Sequence, residues 1–189
     1  MPMTEAGSDE IFLIFALVES GRALKALDEV ARLAGLKEER QPGVEVRENQ
    51  TVFDQIRLAL QFASNVSKVF WPHNNAAQRG GRLRQLTGLP EQHGLSDRRL
   101  RNHIEHMDER LDEWTLPSPR PFLTYELVLH DDGRPPEMRQ EVLDATAVVF
   151  EPNTNSIHLF GQSFQLDELR AAVEDVQVQI SAGLMALHA

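Results

Sequence analysis

The sequence predicts a mainly α protein: an antiparallel helical bundle with a small antiparallel β element before the C-terminal helix. Three observations predict it. Apolar residues recur at three- and four-residue steps over three long stretches. Short polar connectors separate those stretches, as in antiparallel bundles. After Pro121 the composition shifts to brief Val-, Leu- and Phe-rich runs bounded by turn residues, and one more amphipathic stretch follows. At 189 residues the chain reads as a single domain large enough for its own core. Residues 1–116 form the helical bundle, 117–165 the β-rich element and 166–189 the C-terminal helix.

The first helix is expected from Ser8 or Asp9 to about Gly35, on the recurrence of Phe12, Phe15, Leu24, Leu27, Val30 and Ala34. Gly35 fits a C-cap, and Gly21 marks a candidate break. Lys37 to Asn49 contains Pro42-Gly43 and reads as a loop. The second helix runs from Gln50 to Trp71, with Phe53, Ile56, Leu60, Ala63 and Val66 on its buried side. Ser64, Asn65, Ser67 and Lys68 flank that side. A shorter helix covers Arg79 to Leu86. The next, from Leu95 to Trp114, is capped by Ser96, has Asp97 in its first turn and ends before Pro117 and Pro119. Leu100, Ile104, Met107, Leu111 and Trp114 lie within about 80° on a helical wheel and form its packing seam. Strands are expected over Phe122–Leu129, Ala145–Phe150 and Ser156–Phe160, with Gly161–Phe164 extending the meander. Asp131-Asp132-Gly133 and Glu151–Asn155 supply turns, and Arg139–Asp144 fits neither pattern. Leu166, Leu169, Val173, Val176 and Ile180 mark the last helix. Trp71 and Trp114 are expected to close the bundle core, with Met107 and Met138 as core fillers.

Composition narrows the chemistry. The chain has no cysteine, which excludes disulfides and thiolate metal sites. The run Ile11–Val18 is far shorter than the ~20 residues of a membrane span, and its acidic flank is unlike a signal peptide. A cytoplasmic location away from membranes is expected. The net charge of −10 argues against a general nucleic-acid coat protein. The charge is uneven, however. Arg79, Arg82, Arg84, Arg98, Arg99 and Arg101 face only Glu91 and Asp97 between Ala76 and His103, a local +4 on a remainder of −14. Two readings stand: a basic patch that steers an anion, or ordinary solvated helix faces. Arg79-Gly80-Gly81-Arg82 lacks the Lys-Ser/Thr of a phosphate loop and follows no strand.

The central helix carries most of the reactive chemistry. Arg101 is followed by Asn102, and His106 lies five positions after Arg101. Asn102 and His106 form an i,i+4 pair. Arg101 and His106 are about 140° apart on the wheel, so one straight helix does not aim both at one atom. Bending, long reach or a second copy of the helix is required. Arg99, His106 and Arg110 share a stripe beside the seam, with His103 at its edge. Histidine takes and gives protons near neutral pH, and arginine holds phosphate oxygens as charge builds.

The stretch Arg101-Asn102-His103-Ile104-Glu105-His106 resembles the signature of the HEPN families (higher eukaryote and prokaryote nucleotide-binding), usually written as Arg, about four to six residues, then His, with a polar residue directly after the Arg. The resemblance covers about Gln50 to Trp114. It implies a helical bundle that binds RNA or cleaves it without metal, as a homodimer with two motifs facing each other; many members of the group serve as binding or scaffold domains instead. On that reading Arg101, Asn102 and His106 are the catalytic candidates. Arg99, His103, Arg110 and Arg82 are the substrate-binding candidates. The partners are a second copy and RNA, and no cofactor is expected. Two alternatives remain: a helical interaction module in which Asp97 or Glu105 merely pairs with Arg101, and a metal-binding bundle using His103, His106 and Asp108 or Asp112.

Overall fold

The computed structural model describes residues 5–35, 45–115, 124–131 and 133–188. Its long helices are α1 (Glu5–Gly35), α2 (Glu45–Phe70) and α7 (Leu166–Leu187); the shorter ones are α3 (Ala77–Thr87), α4 (Arg98–Glu105), α5 (Met107–Thr115) and α6 (Pro136–Asp144). α1 starts about three residues earlier than expected and α2 five. α1 runs unbroken through Gly21, which faces Gln177 of α7. The loop expected at Pro42-Gly43 lies outside the described residues, as do Pro117 and Pro119. No described helix is long and apolar enough to cross a membrane.

α1 packs along both α2 and α7. Arg170 reaches Asp28 while His188 faces Glu10, so α1 and α7 are antiparallel. Glu19, buried on α1, accepts from Asn65 of α2 at 2.6 Å and from Arg22 at 2.8 Å. Leu13, Val30, Ile56, Val66, Phe70, Leu83, Val173 and Ile180 are fully enclosed. Each such side chain contributes about 1.5–3 kcal/mol by leaving water. The run Ile11–Val18 is apolar on every side. Leu13 and Ala16 face the core, whereas Ile11, Ile14, Phe15 and Val18 stay 45–55% exposed at helical spacing.

The β element stands where the sequence put it and forms one sheet, ordered β1 (Thr124–Val128), β2 (Thr146–Glu151), β3 (Ser156–Leu159) and β4 (Gln162–Gln165). β2–β3 and β3–β4 are antiparallel, but β1–β2 is parallel, with Glu126 opposite Val148. The expected purely antiparallel element is therefore a mixed sheet. The reason is α6: a parallel pair needs a crossover of roughly a dozen residues, and Arg139–Asp144 belongs to that crossover. Every residue of β2 is buried. Arg57 of α2 bonds to Glu126 and stacks 5.9 Å over the Tyr125 ring, tying the sheet to the bundle. The β3–β4 turn is Phe160–Gly161, with φ of 50° and 81°. A two-residue hairpin of this hand needs positive φ at both positions. Met138, expected as a core filler, is 56% exposed because α6 rides on the outside of the sheet.

Two neighbouring glycines of α3 test the packing. A Cβ at Gly80 would stand 2.8 Å from the Phe70 carbonyl oxygen and closer still to the Pro72 ring, whereas one at Gly81 meets nothing within 4 Å. Overpacking costs ~1–3 kcal/mol and alanine gains ~1 kcal/mol in helix propensity. Gly81→Ala should raise stability by about 0.5–1 kcal/mol. Gly80→Ala should lower it by about 1 kcal/mol, although both are the same change in the same helix. Urea unfolding of the two variants gives the comparison.

Candidate functional site

The long central helix of the sequence is two helices. A 3-10 turn covers Gly94–Ser96, α4 starts after Asp97, and the helix breaks at His106, whose backbone sits at φ −122° and ψ 41°. The bridge across the break is made by the backbone. His106 N–H donates to the Asn102 carbonyl at 3.0 Å, and Arg110 N–H donates to the His106 carbonyl at 3.0 Å. The cap is Asp97, which accepts from Arg99 N–H at 2.9 Å. Ser96, expected as the cap, is spent one residue earlier. Its hydroxyl donates to the His93 carbonyl at 2.8 Å, and His93 Nδ1 accepts from Leu95 N–H.

Burial on α4 is partly the reverse of the helical-wheel reading. Ile104 and Trp114 pack against the core, while Met107 and Leu111 are only half-buried. The Leu100 side chain lies outside the described residues. Arg101 and His103, read as polar-face residues, are 8% and 4% exposed. α4 is wedged between α2 and the β3–β4 hairpin, so two of its faces are covered.

These two faces divide the predicted site. Arg99 and Arg101 line a cleft of about 210 Å3, with Ser64 and Ser67 from α2 and Ser163 and Gln165 from β4. Ser67 donates to the Leu95 carbonyl at 2.7 Å. The enclosed Ser64 hydroxyl has no hydrogen-bond partner among the described residues. Arg101 Nε stands 3.7 Å from Glu105, which Lys68 of α2 also contacts. Arg99 is held by Asp97 at 2.6 and 2.8 Å. The Arg99 side-chain hydrogen bond is the main cause of a lowered Asp97 pKa, with the Arg99 N–H and charge adding to it against burial.

On the other face, His103 is enclosed by Phe160 and Phe164, its ring 6.0 and 5.7 Å from theirs. Arg110 pairs with Glu113 at 2.5 Å. His106 belongs to neither face. Its side chain is 50% exposed, with Nδ1 3.6 Å from Glu109. Asn102 is half-buried, and among the described residues its bond to His106 is the backbone one above. Arg82 is drawn away to α1, donating to Asp9 at 2.9 and 3.3 Å.

The basic stretch is therefore largely structural. Arg79 donates to the Lys68 carbonyl and lies over Phe12, and Arg84 donates to the Phe70 carbonyl. Arg79, Arg82 and Arg84 tie elements together. Arg99 is 73% exposed and pairs with Asp97 two residues before it, as the solvated-face reading has it. Among the described residues no three His, Cys, Asp or Glu side chains group to hold a metal ion. His103 turns into the sheet and His106 out to solvent, which separates the pair the metal reading needs. Sequence reasoning missed Ser163, Gln165, Phe160 and Gln162. All sit on the hairpin, and no local signal ties a hairpin to a helix some sixty residues earlier. Comparison with known protein families, curated proteins and solved structures finds no match.

Asp97 carries a direct test. Asp97→Ala should cost ~1 kcal/mol through the lost cap, and Asp97→Asn clearly less, because asparagine caps as well as aspartate. The lowered Asp97 pKa adds stability that is fully present above the unfolded value of ~3.9 and lost as pH falls through the folded value beneath it. The penalty for Asp97→Ala should therefore shrink on acidification through that range, as thermal melts at neutral and acidic pH would record.

Proposed function

We propose that this chain is a HEPN-like RNA-binding or metal-independent RNA-cleaving protein, acting as a homodimer through Arg101, Asn102 and His106. The observation that carries the reading is the helix break at His106. It leaves an imidazole half in water just after a turn whose guanidinium is enclosed in a hydroxyl-lined cleft. A phosphodiester reaching that cleft meets Arg101 as the group that holds its oxygens as charge builds. His106 takes the proton of the 2′-hydroxyl, and a second His106 returns one to the leaving oxygen. Asn102 orients the phosphate or the imidazole.

The second imidazole has to come from another protomer, because His103 is enclosed between aromatic rings. Ile104 and Met107 bracket His106 and line an apolar groove of about 550 Å3 with Phe53, Ile56 and Leu58 of α2. Leu58 is 43% exposed there. A second copy seated on this groove brings the two motifs side by side.

One observation favours a non-catalytic interaction module instead. Arg101 stands against Glu105 of its own helix, and Lys68 of α2 holds the same carboxylate, so the guanidinium can serve simply to position the Lys68–Glu105 pair that docks α4 on α2. The assay is cleavage of single-stranded RNA in chelator by parent and variants. His106→Ala should lower the rate by about 10²–10⁴-fold. Its melting temperature should be unchanged, because the side chain is exposed. Leu58→Glu should convert dimer to monomer in light scattering and lose cleavage with it. A parent dimer that cleaves no RNA under any of these conditions leaves the interaction module.

A further inference from the structure

His93, the residue before the 3-10 turn, has no part in the scheme above, yet it holds the approach to α4. Its side chain is 8% exposed, and both ring nitrogens are engaged. Nδ1 accepts from Leu95 N–H at 3.1 Å, and Nε2 stands 3.2 Å from Asp175 of α7. The ring lies flat on the indole of Trp71, with 5.0 Å between centroids and 7° between planes. The backbone closes the turn with Ser96. His93 N–H donates to Ser96 Oγ at 3.1 Å, and the His93 carbonyl accepts from the same hydroxyl at 2.8 Å. The turn in its place is one wall of the Arg101 cleft. Gly94 and Leu95 line that cleft, and the Leu95 carbonyl accepts from Ser67 of α2. A Cβ at Gly94 would stand 2.8 Å from that of Ala172 on α7, so the turn also sits tightly on the last helix.

The hydrogen bonds fix the state of the ring. A backbone N–H only donates, so Nδ1 presents its lone pair to Leu95 and the single ring proton sits on Nε2, toward Asp175. An imidazolium donates from both nitrogens. A proton added at Nδ1 therefore points at Leu95 N–H and removes the cap. The charged groups packed about the ring do not reverse this. Asp175 of α7 favours the imidazolium, but it is half in water, and such a pair gains little. Leu95 is 5% exposed, and an enclosed N–H left without an acceptor costs more than that pair returns. Glu91 gives its carbonyl to Trp71 Nε1–H, and Arg84 of α3 donates to the Phe70 carbonyl. We propose that His93 is a proton-operated latch: neutral, it pins the start of α4 and the adjoining cleft wall between α2 and α7; protonated, it releases them. The latch is independent of the RNA reading, and serves an interaction module as well as a nuclease.

The test is amide hydrogen exchange followed by NMR on the full chain at about pH 8 and pH 5, in the parent and in His93→Asn. Asparagine supplies a capping acceptor but does not titrate. Comparing the two proteins at one pH cancels the pH dependence of exchange itself and the charging of the other histidines. Asp97 keeps its charge at the lower pH, because the Arg99 side-chain hydrogen bond lowers its pKa, so the cap of α4 stays in force. The Leu95 and Ser96 amides should exchange equally in the two proteins at the higher pH. At the lower pH they should exchange at least tenfold faster in the parent, while Val30 in α1 shows no difference. Asp175→Asn removes the carboxylate that favours the charged ring, so release should move to lower pH by about half a unit, as the His93 ring-nitrogen shifts record. The latch is overturned by equal exchange at the lower pH, by ring shifts that place the neutral proton on Nδ1, or by release in Asp175→Asn at the parent's pH or above it. Should His93→Asn exchange faster at the higher pH as well, Asp175→Asn and the ring shifts decide.

Discussion

The enclosure of His103 between Phe160 and Phe164 is the constraint on which the arrangement of the site depends. It fastens a short helix, α4, to a hairpin some sixty residues later. Aromatic contacts of this kind contribute ~0.5–1.5 kcal/mol each beyond the area they bury. With the hairpin on one flank and α2 on the other, α4 has little freedom to rotate. That fixes Arg101 toward Ser64 and Ser67 and leaves His106 at the point where the chain must turn into α5.

The charge distribution follows the same logic. A chain of −10 is a poor general binder of phosphate polymers, and its arginines are mostly occupied. Arg79 and Arg84 satisfy carbonyls near the end of α2, where helix acceptors lack internal partners. Arg82 ties α3 to α1 through Asp9. Arg101 shares its partner Glu105 with Lys68, and the partner of Arg110, Glu113, is solvent-facing. The Arg110–Glu113 pair is exposed, and exposed pairs are weak, ~0–1 kcal/mol.

Local order is where the sequence was most legible. Periodic Phe53, Ile56, Leu60, Ala63 and Val66 marked α2, and all five are buried. The run Leu166 to Ile180 marked α7, and the apolar pairs about Glu151–Asn155 marked the β2–β3 hairpin. Errors arose where the chain had a choice that only a distant partner resolves. Ser96 and Asp97 are both competent caps. The 3-10 turn with His93 takes the serine, and Asp97 is left for α4. Arg139–Asp144 has weak periodicity, and the parallel pairing of β1 with β2 makes it a crossover helix.

The sequence by itself determined a helical bundle, the place of the β element, and the residue types at the Arg101–His106 stretch, because hydrophobic period and side-chain chemistry are written locally. Tertiary structure alone decided which face of α4 is inside, that Arg101 and His106 look different ways, and that a phenylalanine from a β-turn sits over His103. Those outcomes depend on how α2 and the hairpin compete for the same short helix. A wheel drawn for one helix in isolation contains neither competitor.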